Sequence, residues 1–172
     1  MFYARWIVNL AKGPSVLRSK VASRAVTAIG TRRLFARSLA IRHLDAGSCN
    51  GCESEIGLLA SPVYDLSRFG FSFTPSPRHA DLLLITGVVT EAMVPLIRAT
   101  YDAIPNPKLV VAAGSCAADG CVFRGAPGVV GNLEDIVPVD AFIPGCPPSP
   151  DDILDGLLSL VGRGAAKAGE VG

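Results

Sequence analysis

This 172-residue chain has no run approaching the ~20 consecutive apolar residues that a bilayer-crossing helix needs. It also lacks a recognisable secretory signal. Thr31-Arg32-Arg33-Leu34-Phe35 opens like a twin-arginine export signal, but Arg37, Arg42, His43 and Asp45 break up the apolar segment that must follow. Export is therefore rejected, and the five cysteines fit a reducing compartment in which thiols stay available to metal. Acid is missing from one end. Residues 1–43 hold nine of the sixteen basic residues and no Asp or Glu, so the net charge of +1 hides a remainder with seven basic against fifteen acidic residues, a balance of −8. A basic arm ahead of an acidic body points to an anionic surface, either membrane phospholipid or a partner subunit. Nucleic acid is set aside, because the arm has few base-reading side chains and no known binding module.

A second tight cysteine pair is also missing. Cys49 and Cys52 form a CxxC on a turn flanked by Gly47 and Gly51, while Cys116 and Cys146 follow singly in Gly114-Ser115-Cys116 and Pro144-Gly145-Cys146-Pro147-Pro148. A CxxC alone fits a thioredoxin-like redox pair, half a zinc site, part of a cluster site or coincidence. Structural zinc usually takes its ligands as two close pairs, whereas four-cysteine iron-sulfur sites often collect a lone ligand from a distant loop, so the spacing favours a cluster.

What is present divides into an arm and a body. Phe2, Tyr3, Trp6, Ile7 and Leu10 recur at helical spacing, which predicts a helix over 2–11 suited to a headgroup boundary, a partner or its own core. Gly13-Pro14 breaks it, and Ser15 caps a second expected helix through Ala28. The expected division is a basic amphipathic helical arm at 1–43 and an α/β domain at 44–172. From residue 41 the rhythm becomes strand, loop, helix. Strands are expected at Phe71–Phe73, Asp81–Thr86, Lys108–Ala113 and Ala141–Ile143, and helices at Glu53–Leu59, Thr90–Ala103 and Asp151–Val161. Leu82-Leu83-Leu84-Ile85 and Leu109-Val110-Val111-Ala112 are apolar without alternation, as parallel strands covered on both faces should be. Ligands of open parallel sheets gather at the carboxyl ends of the strands, and each of the four cysteine positions follows a strand within a few residues. The neighbouring glycines let backbone amides approach an inorganic core.

Six ordered matches then carry a resemblance over about Asp45 to Leu160. They are Asp45-Ala46-Gly47-Ser48-Cys49-Asn50-Gly51-Cys52-Glu53, Pro75-Ser76-Pro77-Arg78-His79-Ala80-Asp81, Gly87-Val88-Val89-Thr90, Gly114-Ser115-Cys116, Val137-Pro138-Val139-Asp140 and Pro144-Gly145-Cys146-Pro147-Pro148. The chain resembles the small-subunit family shared by energy-converting NiFe hydrogenases and the proximal-cluster subunit of respiratory complex I. The separated Cys49-Asn50-Gly51-Cys52 follows the hydrogenase branch, of the formate hydrogenlyase type, since complex I subunits place the first two ligands side by side. The cysteine-rich extension of uptake hydrogenases is absent.

The resemblance implies a flavodoxin-like open parallel sheet with helices on both faces, and one 4Fe-4S cluster on Cys49, Cys52, Cys116 and Cys146. The chain would relay electrons between the active site of a NiFe-type large subunit and ferredoxin-like iron-sulfur subunits, making no bond to substrate itself. Integral membrane subunits would meet the arm, placing the protein peripherally on the cytoplasmic side of the inner membrane. Glu55, with Glu53 second, is expected to couple a proton to the redox state, although helix-start acids explain both more simply. Arg78 and His79 are expected at the large-subunit contact, with a salt-bridged loop as the plainer alternative. Cys121 stands where relatives commonly have Gly and is expected to be a small buried thiol. The alternatives carried are a quinone-reducing or hydrogenase-related complex without hydrogen chemistry, and a metal-stapled structural scaffold.

Overall fold

The computed structural model describes residues 22–23 and 38–162. Strands β1 (Ala22–Ser23), β2 (Leu39–Asp45), β3 (Phe71–Phe73), β4 (Leu82–Thr86), β5 (Leu109–Ala113) and β6 (Ala141–Ile143) form one sheet in the order β1-β6-β5-β4-β2-β3. From β2 to β6 every neighbouring pair is parallel. Counted along the chain, these five strands have the 2-1-3-4-5 order of the flavodoxin-like fold. Helices α1 (Gly51–Leu58), α2 (Val94–Ala103), α3 (Ser115–Asp119) and α4 (Pro150–Leu160) connect or follow them.

The central strands explain why the sheet is covered twice. All five residues of β4 and all five of β5 are buried. Leu82, Leu84, Leu109 and Val111 join Ile56 of α1 and Ile153, Leu154, Leu157 and Leu158 of α4 in one apolar layer. Leu83, Ile85, Val110 and Ala112 join Ile97 of α2 and Ala117 of α3 in the other. The alternation of strand side chains thus feeds two cores, which is why these runs show no polar face.

Several boundaries differ from the sequence reading. The helix expected from Thr90 is a 3-10 turn, Glu91–Met93, followed by α2, which starts next to Pro95 where a missing N–H does no harm. Cys116 lies in the short helix α3 rather than in an open turn. Ala22 and Ser23, placed inside an expected helix, are extended and pair antiparallel with Phe142 and Ala141. Pairing there satisfies the outer edge of β6, a gain that helical propensity does not offer. The rest of the helices expected at 2–11 and 15–28 lies outside the described residues. β2 begins at Leu39 and runs across residue 43.

Candidate metal centre

All the loops that carry cysteine leave the same rim. After β2, the Asp45 carboxylate accepts from Gly47 N at 2.8 Å and Ser48 N at 2.7 Å, folding the chain back so that Cys49 lies at the sheet edge. Asn50 is left-handed at the start of α1 and places Cys52, which is buried, in the first helical turn. After β5 and β6, Gly114 N donates to Ile143 O and Ser115 N to Gly145 O, both at 2.8 Å, which locks the Cys116 and Cys146 loops together.

Two glycines hold this convergence. Gly114 has φ +90°, and a Cβ on it would stand 2.7 Å from Cys52 Sγ, so Cys52 reaches the Cys116 loop only because no side chain is there. Gly87, at the end of β4 with φ +80°, would bring a Cβ to 2.5 Å from Ser48 N. Both are sites of close backbone approach.

Sulfur chemistry argues against one of the readings left open above, the thioredoxin-like pair. Burial, then the charge of Glu53 and the neighbouring Cys49 and Cys146, pushes the Cys52 thiol up to about 11. Burial, then Cys121, Cys146 and Cys52, pushes Cys116 up to about 12. A thioredoxin-like nucleophile needs the opposite shift, toward thiolate. Crowded, desolvated thiols of this kind become stable thiolates only when a cationic centre replaces their protons, and a soft metal core is such a centre. The donor set and the space left by Gly114 therefore fit a thiolate-bound cluster.

Cys121 departs from expectation. It is half-buried, not a core thiol, and its sulfur lies within 4.8 Å of those of Cys116 and Cys146, the three being mutually that close. Its φ is +45°, which accounts for glycine being the more comfortable residue there. Asp119 Oδ1 accepts from Cys121 N at 2.9 Å and holds the turn. Cys49 and Cys52 fall outside this close trio, Cys52 lying against it across Gly114.

Glu53 ties the first cysteine loop to the sheet. Its Oε2 accepts from Ser48 Oγ at 2.6 Å, and its Oε1 accepts from Thr86 Oγ1 at the end of β4. His43 Nε2 lies 2.8 Å from Thr86 Oγ1. Since the single hydroxyl proton of Thr86 goes to Glu53, the imidazole must donate from Nε2. Sequence reading placed Glu55 ahead of Glu53, but Glu53 makes these bonds while Glu55 makes none among the described residues. The signal that selects Glu53 is Thr86, thirty-three residues away, which spacing does not reveal. Arg78 and His79 sit exposed on the 3-10 turn Pro77–His79.

Comparison with known proteins identifies the family. Residues 49–160 match the family described as NADH ubiquinone oxidoreductase, 20 Kd subunit. The chain belongs to that family. Among its relatives, the probable membrane-bound hydrogenase subunit mbhJ of Pyrococcus furiosus is 44% identical over 126 residues, covering 73% of this chain and 75% of the relative. Formate hydrogenlyase subunit 7 of Escherichia coli is 46% identical over 127 residues, 73% of this chain but 49% of the relative, so the chain matches about half of that protein. Among solved structures, a chain of the archaeal membrane-bound sulfane sulfur reductase, a respiratory membrane complex, superposes with a TM-score of 0.67 at 39% identity, covering 76% of this chain and 72% of that one. As a 20 Kd subunit family member, the protein is an oxidoreductase subunit, and the family binds an iron-sulfur cluster. No helix among the described residues is long and apolar enough to cross a membrane.

Proposed function

We propose that this chain is the electron-transfer small subunit of a membrane-bound NiFe hydrogenase complex. Cys49, Cys52, Cys116 and Cys146 hold one 4Fe-4S cluster, which supplies one-electron transfer between a NiFe-type large subunit and ferredoxin-like subunits. The observation that carries this is the convergence of cysteines from three separate strand ends on one rim, with the first two spaced as CxxC.

The chain's own residues do three things for such a cluster. Burial of Cys52, with Cys116 half-buried beside it, limits water on the sheet side. The Asp45 turn and the Ser48–Glu53–Thr86 bonds fix where Cys49 and Cys52 stand. Gly114 keeps the centre open to sulfur from both sides. Potentials of such clusters respond to hydrogen bonding and solvent exposure, the quantities these residues set. Arg78 and His79 face outward for a large subunit, and the basic arm docks on membrane subunits at the cytoplasmic face.

A second reading keeps the relay but removes hydrogen chemistry, and the 39% identity to the sulfane sulfur reductase chain favours it. The cysteines of the partner large subunit decide between the two. The test of the relay itself is anaerobic purification followed by iron and sulfide analysis. Stoichiometric iron and sulfide are expected, with C116A and C146A each losing the low-temperature EPR signal of the reduced cluster. Zinc without sulfide would show a structural scaffold instead, and an intact signal in both variants would remove those two ligands.

A further inference from the structure

Cys121 is left over from the four cysteines proposed for the cluster, yet its sulfur completes a group of its own. Among the described residues, the sulfurs of Cys116, Cys121 and Cys146 all lie within 4.8 Å of one another. Three pieces of backbone bring them there. Cys116 is carried by α3, Cys121 by the 3-10 turn Cys121–Phe123, and Cys146 by the loop after β6. Ser115 N, donating to Gly145 O at 2.8 Å, joins the first piece to the third.

The turn at Cys121 is held against its own preference. Its backbone is left-handed, φ +45°, where a residue with a Cβ is strained. Asp119 Oδ1 accepts from Cys121 N at 2.9 Å, Arg124 Nε donates to Asp119 O at 2.9 Å, and the Arg124 guanidinium pairs with Asp119 Oδ2. Gly120 lets the chain close this tightly, since a Cβ there would meet Arg124 Cα and Gly131 Cα, each at 3.3 Å.

The spacing suits a single ion. Sulfur binds zinc at about 2.3 Å, which sets tetrahedral ligands roughly 3.8 Å apart, so no pair in the trio exceeds that spacing by more than about 1 Å. A four-iron cluster instead spreads four thiolates, one to each iron, around a larger core. Both Asp119 side-chain oxygens are engaged in the turn, which leaves sulfur as the donor type, and thiolates select soft or borderline ions. Cys146 is exposed, so an ion reaches the trio from solvent.

We propose that, before any cluster is built, Cys116, Cys121 and Cys146 hold one thiophilic divalent ion of the zinc class, with water in the fourth position. Two of these sulfurs are shared with the proposed cluster, so ion and cluster exclude each other and iron-sulfur loading displaces the ion. The site does not depend on the cluster reading, which the iron and sulfide content of the isolated complex tests separately.

The probe is Co²⁺, added anaerobically to the reduced full-length chain freed of iron, followed by Zn²⁺ in competition. Thiolate-to-cobalt charge-transfer absorption should saturate at one ion per chain and disappear with one equivalent of Zn²⁺. In the zinc-loaded wild-type chain, N-ethylmaleimide labelling read by mass spectrometry should spare Cys116, Cys121 and Cys146 and modify Cys49. C121S should weaken zinc on the order of 100-fold or more, because losing only a hydrogen-bond partner of a ligand already costs ~10–100-fold. Zinc that protects Cys49 while Cys121 takes the label overturns the proposal. So does an unchanged affinity in C121S, or no stoichiometric uptake by the wild-type chain. The labelling uses the wild-type sequence and decides the matter even where C121S does not fold.

Discussion

At the scale of single residues, the chain relies on atoms that are missing. Gly114 combines a left-handed backbone with a Cβ position 2.7 Å from Cys52 Sγ, so G114A is both strained and in collision. Backbone strain alone is worth about 1–3 kcal/mol. G114A should therefore lower stability by roughly that amount and reduce iron bound per chain. Gly51 is the control: its nearest neighbour would be 3.6 Å from a Cβ, an ordinary contact, so G51A should retain iron. Iron analysis of the two variants beside wild type checks this. Legibility at this scale is uneven. The four cysteines proposed as ligands are visible in the sequence because Gly/Pro turns flank them. Cys121 is not, because nothing in its neighbours predicts that a turn with φ +45° returns its sulfur to the others. Glu53 is hidden for a related reason, since its partner lies on another strand.

At the scale of elements, apolar continuity is the strongest signal and short pieces are the weakest. β4 and β5 match their expected ranges within a residue because both of their faces are buried. β2 is harder to read, since Leu39-Ala40-Ile41 is core-like while Arg42 and His43 are polar, half-buried and lie past the end of β3. β1 and α3 are too short for any periodicity to show, and tertiary pairing decides them. α4 illustrates a local rule that is legible. Ser149 Oγ accepts from Asp152 N at 3.2 Å, while Asp152 Oδ2 accepts from Ser149 N at 3.2 Å, a reciprocal cap with Pro150 in the first turn. S149A should cost about 1 kcal/mol, read from denaturant unfolding by circular dichroism. Because α4 begins three residues after the Cys146-Pro147 step and supplies Ile153, Leu154, Leu157 and Leu158 to one core, the loss is felt by the Cys146 loop as well as by a layer.

At the scale of the whole molecule, stability should depend on pH through a group at the sheet edge. Burial holds the His43 imidazole below its ordinary 6.5, against the smaller pull of Glu53 and Asp45 in the other direction and with Arg42 adding to the lowering. The unfolded chain takes up a proton near 6.5 that the folded chain resists. His43 therefore contributes fully above 6.5, and stability falls as pH drops below that value. H43Q, which keeps an amide N–H for Thr86, should flatten this slope; denaturant midpoints at pH 7.5 and 5.5 for both proteins measure it. The 2-1-3-4-5 strand order was within reach of sequence through the rhythm of strands and helices and the family resemblance. The end of β3 at Phe73 was not, because its length is set by pairing with β2 rather than by pattern.

The strand order has one more outcome, in time rather than in space. The first cysteine pair lies near residue 50 and the last predicted ligand at residue 146, on the loop after the final strand of the sheet. A chain emerging from the ribosome folds from its leading end, so on the proposed ligand set the early pair must wait, reduced and unmetallated, until residue 146 has emerged. Loading with iron and sulfide would then follow synthesis of the last strand loop, and a product truncated before residue 146 should be released without an inorganic centre.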